Sequence, residues 1–166
     1  MAEFHEYVNE YKKQMQKGAI QKAYKGLMDY VLHLRRHLMN KYPDYVVPGG
    51  IYYGYMDMTY FSFFPESLKR QNLKVAIVLN HEAMRFEAWL AGVNKQVQSK
   101  FWKLFRESDW KEYTLVATTK GADAIIEHVL VSHPDFRDPQ ALTGQIERET
   151  MKFIAAVEGF LSSHGD

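Results

Sequence analysis

Arg85, Glu87 and Trp89 stand at every second position of the run RFEAWLA, so a strand would send all three side chains to one face. A guanidinium, a carboxylate and an indole on one face suit a small ligand. They suit acid–base chemistry as well, provided a carboxylate is held out of water. A second carboxylate, Asp57, lies among Tyr53, Tyr55 and Tyr60 in IYYGYMDMTYF. His81, in a turn between two strand patterns, would add a titratable group at the mouth of such a site. Tyrosine needs apolar packing and a hydrogen-bond partner together. A chain with 11 Tyr and 10 Phe, 14% aromatic in all, therefore points to a half-wet cavity or an interface.

Other chemistries fail on spacing. His33 and His37 are four apart on a helical pattern, which can hold zinc, but no carboxylate or third His is spaced to join them. With Arg35 and Arg36 between them they read better as a solvated basic rim, and no metal is expected. His81-Glu82 begins like HExxH, but Arg85 occupies the second His position; His5-Glu6 fails likewise at Asn9. Thr119-Lys120-Gly121 lacks the rest of a phosphate loop, and neither GxGxxG nor GxSxG occurs. A nuclease pattern of acid and then Glu-x-Lys would use Asp57 and Glu87, but Trp89 stands where the lysine belongs. No cofactor is expected.

Composition narrows the classes further. Without cysteine there are no disulfides and no thiolate chemistry. With 21 basic and 20 acidic residues the net charge is +1, too small for a global field toward nucleic acid. Lys95, Lys100, Lys103 and Arg106 flank one helical pattern beside Trp102 and Trp110, but Glu107, Asp109 and Glu112 follow at once, so nucleic-acid binding is disfavoured. No apolar run reaches the roughly 18 residues of a membrane span, and MAEFHEYVNEYKK is amphipathic rather than signal-like. A cytoplasmic protein with no membrane partner is expected.

The elements that must position the tyrosine-rich face follow from periodicity. Phe4, Tyr7, Val8, Tyr11 and Met15 mark one face of a first helix, and Gly18 breaks it. A second helix runs from Ala19 to about Lys41, and Gly26 within it implies close packing against a neighbour. The pair is expected to form an antiparallel hairpin. After a Pro/Gly loop, strand sequence extends to Phe64, either as one strand from about Tyr55 or as a hairpin turning near Met56-Asp57. Leu73–Asn80 and Met84–Leu90 pair with Asn80 opposite Arg85, Val78 opposite Glu87 and Ala76 opposite Trp89. The neighbours Ala76, Val78 and Asn80 are too apolar for open water. The face is therefore expected to be partly covered, either by the helix around Trp102 or by the Tyr52-Tyr53-Tyr55 segment. Asn94 caps a third helix, Thr114–Thr118 is a short edge strand, Ala122–Val131 a short helix, and Asp138-Pro139 opens the last helix. One α+β domain over residues 1–166 results: N-terminal helical hairpin, antiparallel meander of about four to five strands, C-terminal helices packed on it.

YYGYMDMTYFSFFPESLK, KVAIVLNHEAMRFEAWLAG, NKQVQSKFWKLF and TTKGADAIIEHVL together resemble a family of bacterial proteins known only as a domain of unknown function. The resemblance implies a small single-domain bacterial protein and carries no mechanism with it. The leading expectation is a module binding a small molecule or a partner, as a homodimer, with Tyr53, Tyr55, Asp57, Tyr60, His81, Arg85, Glu87, Trp89 and Trp102 as candidate lining. The alternatives are an enzyme using Asp57 and Glu87, and a purely structural or interaction protein.

Overall fold

Helix chemistry accounts for both ends of the chain. In the computed structural model, which describes residues 2–118 and 122–164, α1 (Ala2–Lys17) and α2 (Ala19–Lys41) are joined by Gly18 alone. Its φ of +80° is a left-handed turn that glycine adopts without steric cost. Of α1 beyond its first residue, only Gln14 and Met15 are even half-buried, and the stripe from Phe4 to Tyr11 stays exposed, so the two helices follow one another without the packed apolar faces expected of an antiparallel hairpin.

Between the terminal helices, β1 (Met58–Ser62), β2 (Leu73–Asn80), β3 (Arg85–Gly92) and β4 (Ile126–Val131) form one antiparallel meander in that order. The β2–β3 register is the one alternation demands, with Asn80, Val78 and Ala76 opposite Arg85, Glu87 and Trp89. Phe61, Val75, Ile77, Leu79, Phe86, Ala88 and Leu90 then share one face. They form a single core with Val31, Leu34 and Leu38 of α2 and Ile146, Phe153 and Val157 of α5 (Pro139–His164). The short α3 (Glu66–Lys69) follows Pro65. In α4 (Lys95–Glu107), Asn94 Oδ1 accepts the Val97 N–H at 2.9 Å as an N-cap, and Phe105 stacks on Phe160 of α5 at 4.4 Å. Asp138 caps α5 through the Ala141 amide.

Four expectations are corrected or decided. Ala122–Val131 is not a helix, because Ile126–Val131 pairs with β3 as β4. Unpaired, the β3 edge would leave a row of backbone donors and acceptors unsatisfied, and β-branched Ile125, Ile126, Val129 and Val131 suit a strand. Thr114–Thr118 contributes only an isolated bridge, Leu115 to Ile126, and Thr119–Gly121 lie outside the described residues. Among the described residues Gly26 packs against nothing: a Cβ there would find no atom within 4 Å. The tyrosine-rich stretch is the hairpin, not the long strand, since Tyr52 and Tyr60 exchange both backbone hydrogen bonds, at 2.8 and 2.9 Å.

That hairpin turns through Gly54 (φ +75°) and Met56 (φ +64°). A Cβ on Gly54 would collide with the Met58 carbonyl and with Asp57 Oδ1. Gly54→Ala should therefore cost about 2 kcal/mol, a melting temperature lower by roughly 5 °C. An unchanged melt would show that the turn is not needed for the fold.

Candidate functional site

The helix-free face of the sheet carries the candidate residues in rows set by the ladder. One row reads Tyr60, Val78, Glu87, Val129 and the next Ser62, Ala76, Trp89, Glu127. Tyr60 and Trp89 thus stand two strands apart, with Ala76 and Val78 of the centre strand between them. Strand spacing puts these two walls about 10 Å apart, with Ala76 as floor. Tyr52 packs against Tyr60 with ring centroids 5.0 Å apart and planes tilted by 30°, so the cover comes from the tyrosine segment. The result is a groove of about 430 Å³ lined by Tyr52, Tyr60, Trp89, Ser62, Ala76 and Ala91, with Lys74, Asp57 and Asp123 also facing it.

Glu87 organises one wall. Its side chain is 3% exposed and accepts three hydrogen bonds: Arg85 Nε at 2.7 Å and Asn80 Nδ2 at 3.1 Å on Oε2, Trp89 Nε1 at 2.8 Å on Oε1. A buried carboxylate persists only with such partners. They swing the indole along its own strand and hold it there. Across the ladder from Trp89, the Glu127 carboxyl is pushed up, first by burial and then by the charges of Glu87 and Asp123, against a smaller opposing effect of Arg85.

Asp57 is held differently. Its Oδ1 accepts the Tyr55 N–H at 2.9 Å, and the Tyr55 and Met58 amides lower its pKa. Such a group stays ionised and serves as an acceptor rather than an acid. Tyr53 is half-exposed, and Tyr55 is 92% exposed, outside the groove.

Arg85 and Glu87 hold Trp89 but do not themselves line the groove, and two further candidates lie elsewhere. The His81 ring points to the helical side, stacked with Tyr24 at 6.0 Å and 2.8 Å from the Thr59 hydroxyl. That hydroxyl donates its one proton to the Tyr53 carbonyl at 2.7 Å, so His81 must supply its own proton from Nε2. Burial lowers the His81 pKa, with the Asp57 charge opposing. Trp102 donates to the Val116 carbonyl at 2.9 Å under the Arg106 guanidinium and does not line the groove. Lys100 and Lys103 line a separate depression with Arg70 and His164.

Lys74, Asp123 and Glu127 were not singled out in the sequence. Lys74 follows from the alternation of β2, and Glu127 from that of β4 once β4 is recognised. Asp123 has no such signal. Its segment is placed by buried Gln98, which accepts the Gly92 N–H at 3.2 Å and donates to the Ala122 carbonyl at 2.9 Å. His37 likewise has a partner the local spacing hides: Glu147 of α5, at 2.8 Å. Among the described residues no three His, Asp or Glu side chains come together as a metal site, and no helix is long and apolar enough to cross a membrane.

No curated protein and no solved structure matches this chain. The sequence profile of one family does match, over residues 4–161, and with nearly the whole length covered the chain belongs to that family, the domain of unknown function DUF7000.

Proposed function

We propose that the protein is a small-molecule-binding module whose ligand, a flat ring with polar substituents, enters between the Tyr52–Tyr60 pair and Trp89. One observation carries this reading: two aromatic walls two strands apart, over a floor of Ala76, enclose a groove of about 430 Å³. That volume suits a metabolite-sized ligand. Ring faces supply stacking, while Lys74, Asp57 and Asp123 around the groove can orient a substituent. Asp57 and Glu87 both commit their carboxylates to hydrogen bonds within the fold, which favours binding over acid–base catalysis by that pair.

Thermal shift against nucleosides, aromatic acids and amines, and monosaccharides tests the proposal. A ligand at a hundredfold excess over its Kd should raise the melting temperature by roughly 5 to 10 °C. Ala76→Leu, which fills the floor and removes no hydrogen bond, should abolish that shift. A panel without any effect, or a shift that survives Ala76→Leu, would overturn the reading.

A further inference from the structure

Two apolar surfaces of this chain face solvent and match one another. The first is the α1 stripe, in which Phe4, Tyr7, Val8 and Tyr11 fall at i, i+3, i+4 and i+7 and are 65, 64, 43 and 62% exposed. Such a stripe normally faces a core. The second is a trough of about 510 Å³ walled by Leu27, Tyr30, Met84 and Phe136, with Gly26 open at its base. Along α2 the trough runs from Ala23 to Tyr30 and the stripe from Phe4 to Tyr11, in each case roughly 10 Å of helix. The chain cannot satisfy itself. A one-residue joint is shorter than the two to five residues that let consecutive helices lie side by side, so α1 does not reach back over its own α2.

We propose that the trough receives the α1 stripe of a second copy, and reciprocally, so that two chains form a twofold dimer by exchanging N-terminal helices. The area is sufficient. An aromatic side chain buries about 150–250 Å² in full, so each stripe buries roughly 400 Å² of its own surface against a smaller area of trough. Two such contacts remove roughly 1,000 Å², which reaches the lower bound for a specific interface. Charge agrees as well: Glu3 and Glu10 flank the stripe on one side, and Lys22 stands at the trough. Gly26, which weakens α2 and packs against nothing among the described residues, then allows the incoming helix to approach closely.

Light scattering of the full chain from micromolar to millimolar concentration tests this, and should give twice the 19.5 kDa of one chain. Phe4→Glu with Tyr11→Glu, and separately Gly26→Glu, should each yield a monomer with unchanged helical circular dichroism, because none of these positions touches the core. Mixing the two variants restores one of the two contacts, so a heterodimer should form, more weakly than the wild-type dimer. A wild-type monomer at every concentration overturns the proposal, whether or not α1 then binds anionic vesicles. A dimer that survives Gly26→Glu overturns it too, since the stripes would then be pairing with each other.

Discussion

Glu87→Ala should be among the most damaging single changes in the protein, costing about 3 kcal/mol. It strands the Trp89 indole N–H and the Asn80 amide on a face where Val78 is fully buried, and leaves Arg85 without its partner. Arg85 is 40% exposed and can turn to water, which places the cost at the lower end of the range for a broken buried pair. For a chain of this size the loss amounts to roughly 10 °C in melting temperature. Glu87→Gln keeps one acceptor for the indole but turns an amide N–H₂ toward two donors, so about half that loss is expected. The signature should be spectroscopic as well as thermal. There are three tryptophans, and the indole N–H resonance assigned to Trp89 should lose its protection from exchange in Glu87→Ala, while those of Trp102 and Trp110 keep theirs. A variant within 1 kcal/mol of wild type by denaturant titration would mean that the three hydrogen bonds do not hold this wall.

The legible and illegible parts of this chain divide along physical lines. The β2–β3 register was readable because two independent constraints agreed: alternation on both strands, and a turn too short to allow a slip. The helix starts at Asn94 and Asp138 were readable because a cap is a local device. In β4, by contrast, Ile125, Ile126, Val129 and Leu130 fit a helical stripe as well as a strand. What decides between them is the open edge of β3, a feature of another segment. The groove divides in the same way. Arg85, Glu87 and Trp89 announce a shared face by their spacing, and Asn80 joins them through the register. The packing of Tyr52 against Tyr60 depends on where the hairpin turns, and Asp123 depends on the Gln98 bridge. A stripe such as Phe4–Tyr11 shows in sequence that a face is apolar, and leaves open what covers it.

Glu147 is the second place where one carboxylate holds separate elements together, and acid should reveal it. From the middle of α5 it accepts His37 Nε2 at 2.8 Å, Lys41 Nζ at 2.6 Å and the Tyr42 hydroxyl at 2.7 Å, all from the end of α2. One turn earlier, Thr143 meets the Tyr30 hydroxyl at 2.9 Å, so the two contacts form a polar seam between the helices. Burial alone would push the Glu147 carboxyl up. The hydrogen bonds from Lys41, His37 and Tyr42 outweigh it and bring the carboxyl down to about 2, while burial and Glu147 together push the Tyr42 phenol up to about 12. A carboxyl lowered in the folded state makes the unfolded chain the better proton acceptor in acid. Its stabilisation is therefore complete above about pH 4.5 and disappears as the pH falls toward 2. The full shift would be worth about 3 kcal/mol. With His37 and Lys41 36% and 55% exposed, solvent screening reduces this to about 2 kcal/mol. Glu147→Gln should accordingly be less stable than wild type by about 2 kcal/mol near neutrality, and urea titrations of the two proteins should converge between pH 4.5 and 2. A difference that stays constant across that window would assign the seam to packing, with the charge of Glu147 contributing nothing.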